Sequence, residues 1–332
     1  PKVVPGSNRK EVSAIFAGAV WVGGYDPARN LHMMGQTFRS SSSNDCWPGP
    51  LTNLGETDMD ICLKWDQFFV VNGSSIREQQ KNFRLVKGIR DLTLDEIPED
   101  VLYYPARGNK FFSQKYNFEL PDPVLYPQGL GLFHEQPESE DGIYQPEKGE
   151  FPIIDIRGCP DPVYPDQMIF WIYNDNGGIH TNSNGEPIRM EVQVQAFAFT
   201  TSDEINDMTF QRYKLINRAP QDLIDCYFAM WVDPDLGCYS DDYIGCNIDR
   251  SLMFIYNIDA TDGNNGCNCD RGVNTYCTEI PVLGVDYFRG PLDTAGREIG
   301  MSSFMYYNNP SGGGNHPAAT TDPGTAIEDY RY

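Results

Sequence analysis

The chain has 332 residues, enough to bury a sizeable core, and its 40% apolar and 22% charged residues are typical of a globular protein. Its 47 acidic residues outnumber 25 basic ones, which gives a formal net charge of -22. Such a surface repels nucleic acid and anionic lipid, and no window approaches the apolar length of a membrane span. We therefore expect no nucleic-acid partner and no membrane span, whereas cations and basic partners suit the charge.

The N-terminal half combines strand signals with two helix signals. The segments "SAIFAGAVWVGGYD" and "NLHMMGQTFRS" flank the turn-rich "DPAR" and predict a β-hairpin. A helix is predicted near 75–88, where Ser75 and Glu78 form a capping box. A second short helix is predicted near 97–104, with Pro98 in its first turn.

The second half of the chain carries strand signals at the spacing of an antiparallel meander. They are "QMIFWIYND", "IRMEVQVQAFAF", "MTFQRYKLINR", "LIDCYFAMWV" and "SLMFIYNI". In the second of these, Val192 and Val194 point to one face, while Phe197 and Phe199 make the other face apolar too, so both faces should be covered. The predicted fold is mainly β, an antiparallel sandwich of the jelly-roll kind with long loops and one or two short helices.

Changes in composition divide the chain into three regions. The segment 120–152 is rich in Pro, Gly and acid and predicts a long connector, which places a domain boundary near residue 150. We expect a β-rich region with the two short helices over 1–150 and the antiparallel sandwich with Cys-rich loops over 151–307. The Gly, Pro and Thr-rich segment 308–332 is predicted to be a linker to a further region.

The nine cysteines indicate disulfides in an oxidising compartment. Six of them lie between 226 and 277, among loops rich in Asn, Asp and Gly. Zinc is the alternative for the last three, but their spacing matches no standard ligand pattern and no histidine lies nearby. The odd count leaves at least one thiol free or paired outside the chain. The candidate disulfide cysteines are Cys46, Cys62, Cys226, Cys238, Cys246, Cys267, Cys269 and Cys277.

The stretch "WVDPDLGCYSDDYIGC" carries clustered carboxylates directly after a predicted strand. Asp233 and Asp235 begin a partial calcium-loop pattern, and Asp241 and Asp242 could supply further oxygens. Clustered carboxylates repel one another unless they are solvated or hold a cation, which favours calcium at these four residues. Two alternatives remain open: a structural turn, since Asp and Asn bond to their own backbone, and a catalytic cleft. The Asn- and Asp-rich "NIDATDGNNG" and the acidic "ESEDGIYQPEKG" carry the same ambiguity.

Motifs for catalysis are weak in this sequence. There is no G-x-S-x-G elbow, no nucleotide-binding glycine motif, and the four histidines are scattered. Glycoside hydrolysis is harder to exclude because it needs only two carboxylates, and tryptophans could stack on sugars. The same tryptophans could equally fill a β core. They are Trp47, Trp65, Trp171 and Trp231.

Segments spread over about residues 20 to 307 carry a resemblance to a known group of proteins. They include "AVWVGGYDPARNLHMMGQTFR", "CWPGPL", "IPEDVLYYPARGN", "FWIYNDNGGIH" and "CYFAMWVDPDLGCYSDDYIGC". As a set they resemble a region that recurs in very large surface proteins of Bacteroidota, notably gliding, filamentous forms. Such proteins are typically exported by the type IX secretion system. The resemblance implies an extracellular, cell-surface protein of which this chain is a portion, and it implies no catalytic residues.

These observations together predict a structural or adhesive module that is not an enzyme, for example a building block of an extracellular appendage. Its predicted partners are further copies of itself, other domains of the same polypeptide, or cell-surface glycans. Calcium is the one predicted cofactor. A carbohydrate-binding module or a glycoside hydrolase acting on extracellular polysaccharide is the alternative.

Overall fold

The computed structural model describes residues 12–37, 44–86, 89–117, 143–154, 156, 165–238, 241–258, 260–263, 267 and 275–306. The chain divides into a larger unit, Ala19–Trp231, and a smaller unit whose described residues are 12–18 and those from 232 onward. This division does not lie near residue 150, where the sequence predicted a domain boundary, because strands before and after that residue pair in one sheet. The predicted linker 308–332 and most of the predicted connector lie outside the described residues.

The fold is mainly β, as predicted, and its first eight strands form two sheets. One sheet has the order β2-β1-β8, and its β1–β2 hairpin is antiparallel, with Val22 opposite Met34. The other is antiparallel, with the order β3-β5-β6-β7, and β4 also pairs with β5. The strands are β1 Ala17–Tyr25, β2 Leu31–Met34, β3 Trp47–Pro48, β4 Phe69–Asn72, β5 Gln167–Asn174, β6 Met190–Ala198, β7 Phe210–Asn217 and β8 Ile224–Asp233.

Strand β6 is buried on both faces, which confirms the expectation from its sequence. Val192 and Val194 share a hydrophobic cluster with Val20 of β1 and Met34 of β2, so side chains of the two sheets meet there. Phe197 belongs to a second cluster, formed with the helices. Full burial of each such side chain contributes on the order of 1.5–3 kcal/mol, so β6 anchors both halves of the core.

Four short helices are present in the described residues instead of the one or two expected: α1 Met59–Trp65, α2 Gly73–Val86, α3 Glu99–Leu102 and α4 Lys110–Tyr116. Helix α2 begins at Gly73, directly after β4, so the capping box predicted at Ser75 is wrong and Ser75 lies inside the helix. Within these described ranges, no helix is long and apolar enough to cross a membrane.

Aromatic rings join the helices to the larger sheet. Trp65 of α1 packs edge-on against Phe69 of β4, with ring centroids 5.7 Å apart, and it also contacts Phe112 of α4. Phe112 is 1% exposed and completes this contact with Phe69. Since aromatic pairs add about 0.5–1.5 kcal/mol beyond their buried area, the cluster fixes two of the short helices that have little intrinsic stability.

The smaller unit contains a three-stranded antiparallel sheet with its own core. Its strands are β9 Asp242–Asn247, β10 Leu252–Asn257 and β11 Leu283–Asp286, in the order β11-β10-β9. The buried residues of this core are Val12, Ala14, Leu236, Ile255 and Tyr276. The loops that lead into β9 and out of β10 carry the acidic residues described next.

Candidate cation-binding site

The acidic stretch that follows β8 lies in the smaller unit. Asp233 ends β8, Asp235 lies in the loop after it, and Asp242 begins β9. The loop is tied to the N-terminal segment of the same unit, because the N–H of Gly237 donates to the carbonyl of Ser13 at 3.1 Å. Gly237 has a φ of +82°, a left-handed conformation that favours glycine.

A carboxylate that the sequence analysis did not single out joins this stretch. Asp262 follows β10, and its backbone pairs with Cys277 in an isolated β-bridge. One carboxylate oxygen of Asp241, one of Asp262 and the Sγ of Cys238 all lie within 4.8 Å of one another. Asp242 is the next residue after Asp241, and we call Asp241, Asp242 and Asp262 the Asp cluster.

Backbone N–H groups position the Asp cluster but leave two of its oxygens unsatisfied. The N–H of Cys238 donates to Oδ1 of Asp262, and the N–H of Leu236 donates to Oδ2 of Asp242, both at 2.9 Å. The Oδ1 atoms of Asp241 and Asp242 are buried and have no hydrogen-bond partner among the described residues. Buried polar atoms without a partner are uncommon, because each lacks the hydration it has in water.

The electrostatic environment of the cluster is negative. The pKa of Asp242 is raised to about 7, mainly by burial and further by the charges of Asp241, Asp262 and Asp235, although one backbone hydrogen bond opposes the rise. Burial also raises the pKa of Asp262, with Asp241 adding to the effect. The pKa of Asp235 is raised by burial and by Asp233. Proximity of like charges in a buried site thus disfavours the ionised carboxylates.

The structure places the four predicted calcium ligands unequally. Of the four, only Asp241 lies in the group within 4.8 Å of the Cys238 sulfur, whereas Asp233, Asp235 and Asp242 lie outside it. The charge of Asp235 contributes to the raised pKa of Asp242. The sequence signal for Asp262 was the Asn- and Asp-rich "NIDATDGNNG", but a contact across more than twenty residues could not be read from that pattern.

Two of the candidate cysteines, Cys238 and Cys267, form a disulfide across 29 residues, a pairing that the sequence did not predict. Cys277 is also disulfide-bonded, and Cys269 lies outside the described residues. Three candidates are free thiols, so the disulfides predicted for them are wrong: Cys46, Cys62 and Cys226. A fourth candidate, Cys246, forms no disulfide with another described cysteine. These four lie on four different elements or loops, and none has another described cysteine in disulfide geometry.

The larger unit uses buried polar side chains to hold loops together. Asp175 is fully buried and accepts hydrogen bonds from the N–H groups of Ile188 and Met190, both at 2.6 Å. Burial raises the pKa of Asp175, although these two bonds oppose that effect. Asp45 accepts from three further N–H groups, two of them in the loop that precedes β6. Each carboxylate therefore connects its own segment to a distant one.

His180 lies between these two carboxylates, and its side chain is inaccessible to solvent. Its Nδ1 contacts the carbonyl oxygen of Met33 at 2.7 Å, and its Nε2 contacts the carbonyl oxygen of Asp175 at 2.5 Å. Carboxylate oxygens of Asp45 and Asp175 lie 3.9 Å from the two ring nitrogens, so the carboxylates flank the ring from both sides.

The four tryptophans considered for sugar stacking each pack on another ring of the protein. Trp65 and Trp231 are buried, and Trp231 stacks on Trp21 with ring centroids 5.8 Å apart. Trp47 and Trp171 are half-buried. Trp47 lies against a histidine ring and Trp171 against the edge of a phenylalanine. Two of the four therefore serve the core, as the core interpretation predicted.

Comparison with known proteins adds no relative: no family model, no curated protein and no solved structure matches this chain.

Proposed function

We propose that this chain is a non-catalytic structural or adhesive module of a large secreted cell-surface protein. The observation that carries the proposal is the use of the buried polar side chains in the larger unit. Asp45, Asp175 and His180 each bind backbone groups of loops or strand ends. A catalytic acid or base must instead reach a substrate proton, so this arrangement favours rigidity over chemistry.

The disulfide of the smaller unit and the acidity of the whole chain support an extracellular location. The Cys238–Cys267 disulfide is of the kind that persists in oxidising compartments. The net charge of -22 keeps an exposed module soluble and disfavours anionic partners. Both features agree with the resemblance to surface proteins of Bacteroidota. On the basis of that resemblance, we propose that the protein is exported by the type IX secretion system.

The location is tested on native cells with an antibody raised against this chain. Immunogold electron microscopy is expected to place the label on the cell surface or on appendages that extend from it. Label confined to the cell interior would contradict the proposal. A matched experiment on permeabilised cells controls for access, because a surface protein labels equally before and after permeabilisation.

Assembly and catalysis are tested on the purified chain. A structural module is expected to form homo-oligomers in sedimentation experiments as concentration rises, since symmetric self-association is the usual route to such assemblies. Persistence of a monomer at high concentration, in this chain and in the full polypeptide, would count against it. Hydrolysis of extracellular polysaccharides by the chain would replace the structural role with an enzymatic one.

A further inference from the structure

One face of strands β6 and β7 carries a group of polar side chains. Directly opposite residues of this antiparallel pair point to the same face, and the register places Gln193 opposite Lys214 and Gln195 opposite Arg212. Both glutamines are buried, and Lys214 is half-buried. Phe197, which follows on the same face of β6, belongs to the cluster formed with the helices. Lys214 therefore lies beside a packed core and not on a freely solvated loop.

The charged neighbours of Lys214 have partners, whereas its own ammonium makes no hydrogen bond or ion pair with any described residue. Nη1 of Arg212 donates to Oε1 of Gln195 at 3.3 Å. Nη2 of Arg218, the residue after the end of β7, donates to Oε2 of Glu191 at 3.4 Å. The nitrogen of Lys214 is therefore not engaged by the part of the chain that the structure describes.

The surroundings of Lys214 disfavour its positive charge. The pKa of Lys214 is lowered to about 8, mainly by burial and further by the positive charges of Arg212 and Arg218, although the charge of Glu191 opposes the fall. At pH 7 an amine with this pKa is neutral in about one molecule in ten, whereas an ordinary lysine is neutral in fewer than about one in a thousand. A partly desolvated lysine next to other cationic groups is an activated nucleophile.

The amine of Lys214 is accessible to a small reactant. Strand β7 is the last strand in the order of its sheet, and the nitrogen of Lys214 is not one of the fully buried polar atoms that lack a partner, so solvent reaches it. The positive charges of Arg212 and Arg218 act at the same place and attract an anion, for which a carboxylate is a matching group. This face therefore suits a reactant that offers an electrophilic carbon to the amine and a carboxylate to the positive potential.

We propose that Lys214 is a site of covalent modification by aldehydes that carry a carboxylate, such as the reducing end of a uronic acid sugar. The nitrogen of the neutral amine attacks the aldehyde carbon and forms a C–N bond. Both amine hydrogens leave with the carbonyl oxygen as water, which gives an imine, so the step needs no oxidant or reductant. The imine ties the reactant to β7, and its carboxylate offsets the positive charges of Arg212 and Arg218.

Reductive trapping on the purified chain tests the proposal. The chain is incubated at pH 7 with glyoxylate, a small aldehyde with a carboxylate, and with cyanoborohydride, which reduces each imine to a stable carboxymethyl amine. Peptide mass spectrometry then compares the labelling rates of the lysines. We expect Lys214 to be labelled at least about tenfold faster than Lys64, Lys110 and Lys115, each of which forms an ion pair with a carboxylate.

The pH profile of the parent chain tests the amine without any substitution. Acetylation by trace acetic anhydride follows the neutral fraction of each amine. For Lys214 the rate should level off near about pH 9, whereas for Lys64 it should still rise at about pH 10. The variant Arg212→Gln loses one flanking positive charge and should acetylate Lys214 at least about twofold more slowly at pH 7. The control Lys214→Arg keeps the charge on β7 and should remove the labelled site without altering the labelling of Lys64.

Both the nucleophile and the class of reactant have outcomes that contradict the proposal. Glyoxylate labelling of Lys214 no faster than that of the ion-paired lysines, or acetylation of Lys214 that still rises at about pH 10, would overturn it. Galacturonic acid and galactose differ in one carboxylate and test the assigned reactant. In trapping with these sugars, the preference for Lys214 over Lys64 should be at least about threefold larger with galacturonic acid. An equal preference with both sugars would overturn the requirement for a carboxylate.

Discussion

Replacement of Asp175 by alanine removes the carboxylate that ties β5 to the start of β6. Its oxygens accept from the N–H groups of Ile188 and Met190, both at 2.6 Å, in the interior of the larger unit. Each buried N–H left without an acceptor costs about 1–3 kcal/mol, so the two together cost about 2–6 kcal/mol. Relief of the buried charge recovers part of this cost, and we expect a net loss of about 3 kcal/mol in the free energy of unfolding.

Urea unfolding followed by tryptophan fluorescence measures this loss without interference from the smaller unit. All five tryptophans of the chain lie within Ala19–Trp231, so their emission reports on the larger unit alone. The control Asp222→Ala changes an exposed carboxylate of the same unit and should shift the free energy of unfolding by less than about 0.5 kcal/mol. A loss below about 1 kcal/mol for Asp175→Ala would refute the view that this carboxylate is a structural tie.

Three further variants test other features of the account. Gly149 has a φ of +91°, and a Cβ at this position would lie 2.4 Å from an aromatic ring. Gly296 has a similar φ of +77°, but a Cβ there would have no neighbour within 4 Å. In calorimetry, Gly149→Ala should therefore lower the stability of the protein by at least about 1 kcal/mol more than Gly296→Ala does. Burial lowers the pKa of Lys214 to about 8, so its charged form is unfavourable in the folded state. Lys214→Met should therefore raise stability by about 1–2 kcal/mol below pH 8, and the gain should shrink as pH rises toward 10.5, where the parent loses the charge in both states. Paired Cys238→Ser and Cys267→Ser changes open a loop of 29 residues and should cost the smaller unit about 3–4 kcal/mol, with the tryptophan-monitored transition unchanged.

The regular strands were predictable because their side-chain alternation is a local property. The β1–β2 hairpin and strands β5 to β8 lie where the sequence placed them. Helices α1 and α4 were missed because seven residues make only two turns and show little period. Their local signals were the caps, Asp58 accepting from a backbone N–H at the start of α1 and Asn109 at the start of α4.

The candidate site was predictable only in part, for the opposite reason. Asp241 and Asp242 stood out because they are adjacent at the start of β9, but Asp262 comes close to Asp241 only through the folded path of β9 and β10. The cysteines show the same limit: the spacing indicated disulfides in this region, but it could not distinguish Cys238, which is bonded, from Cys226, which is free. Long-range proximity, not residue type, decides both.

Native-state hydrogen exchange tests the central claim, that buried polar ties make the larger unit a rigid body. The decisive amides are those of Gly35, Ser183, Ile188 and Met190, which donate to Asp45 or Asp175. We predict that these amides exchange only through global unfolding, with opening free energies equal to that of the whole unit. Fast exchange at these four amides, while the amides of β6 stay protected, would show loops that open independently and would contradict the claim.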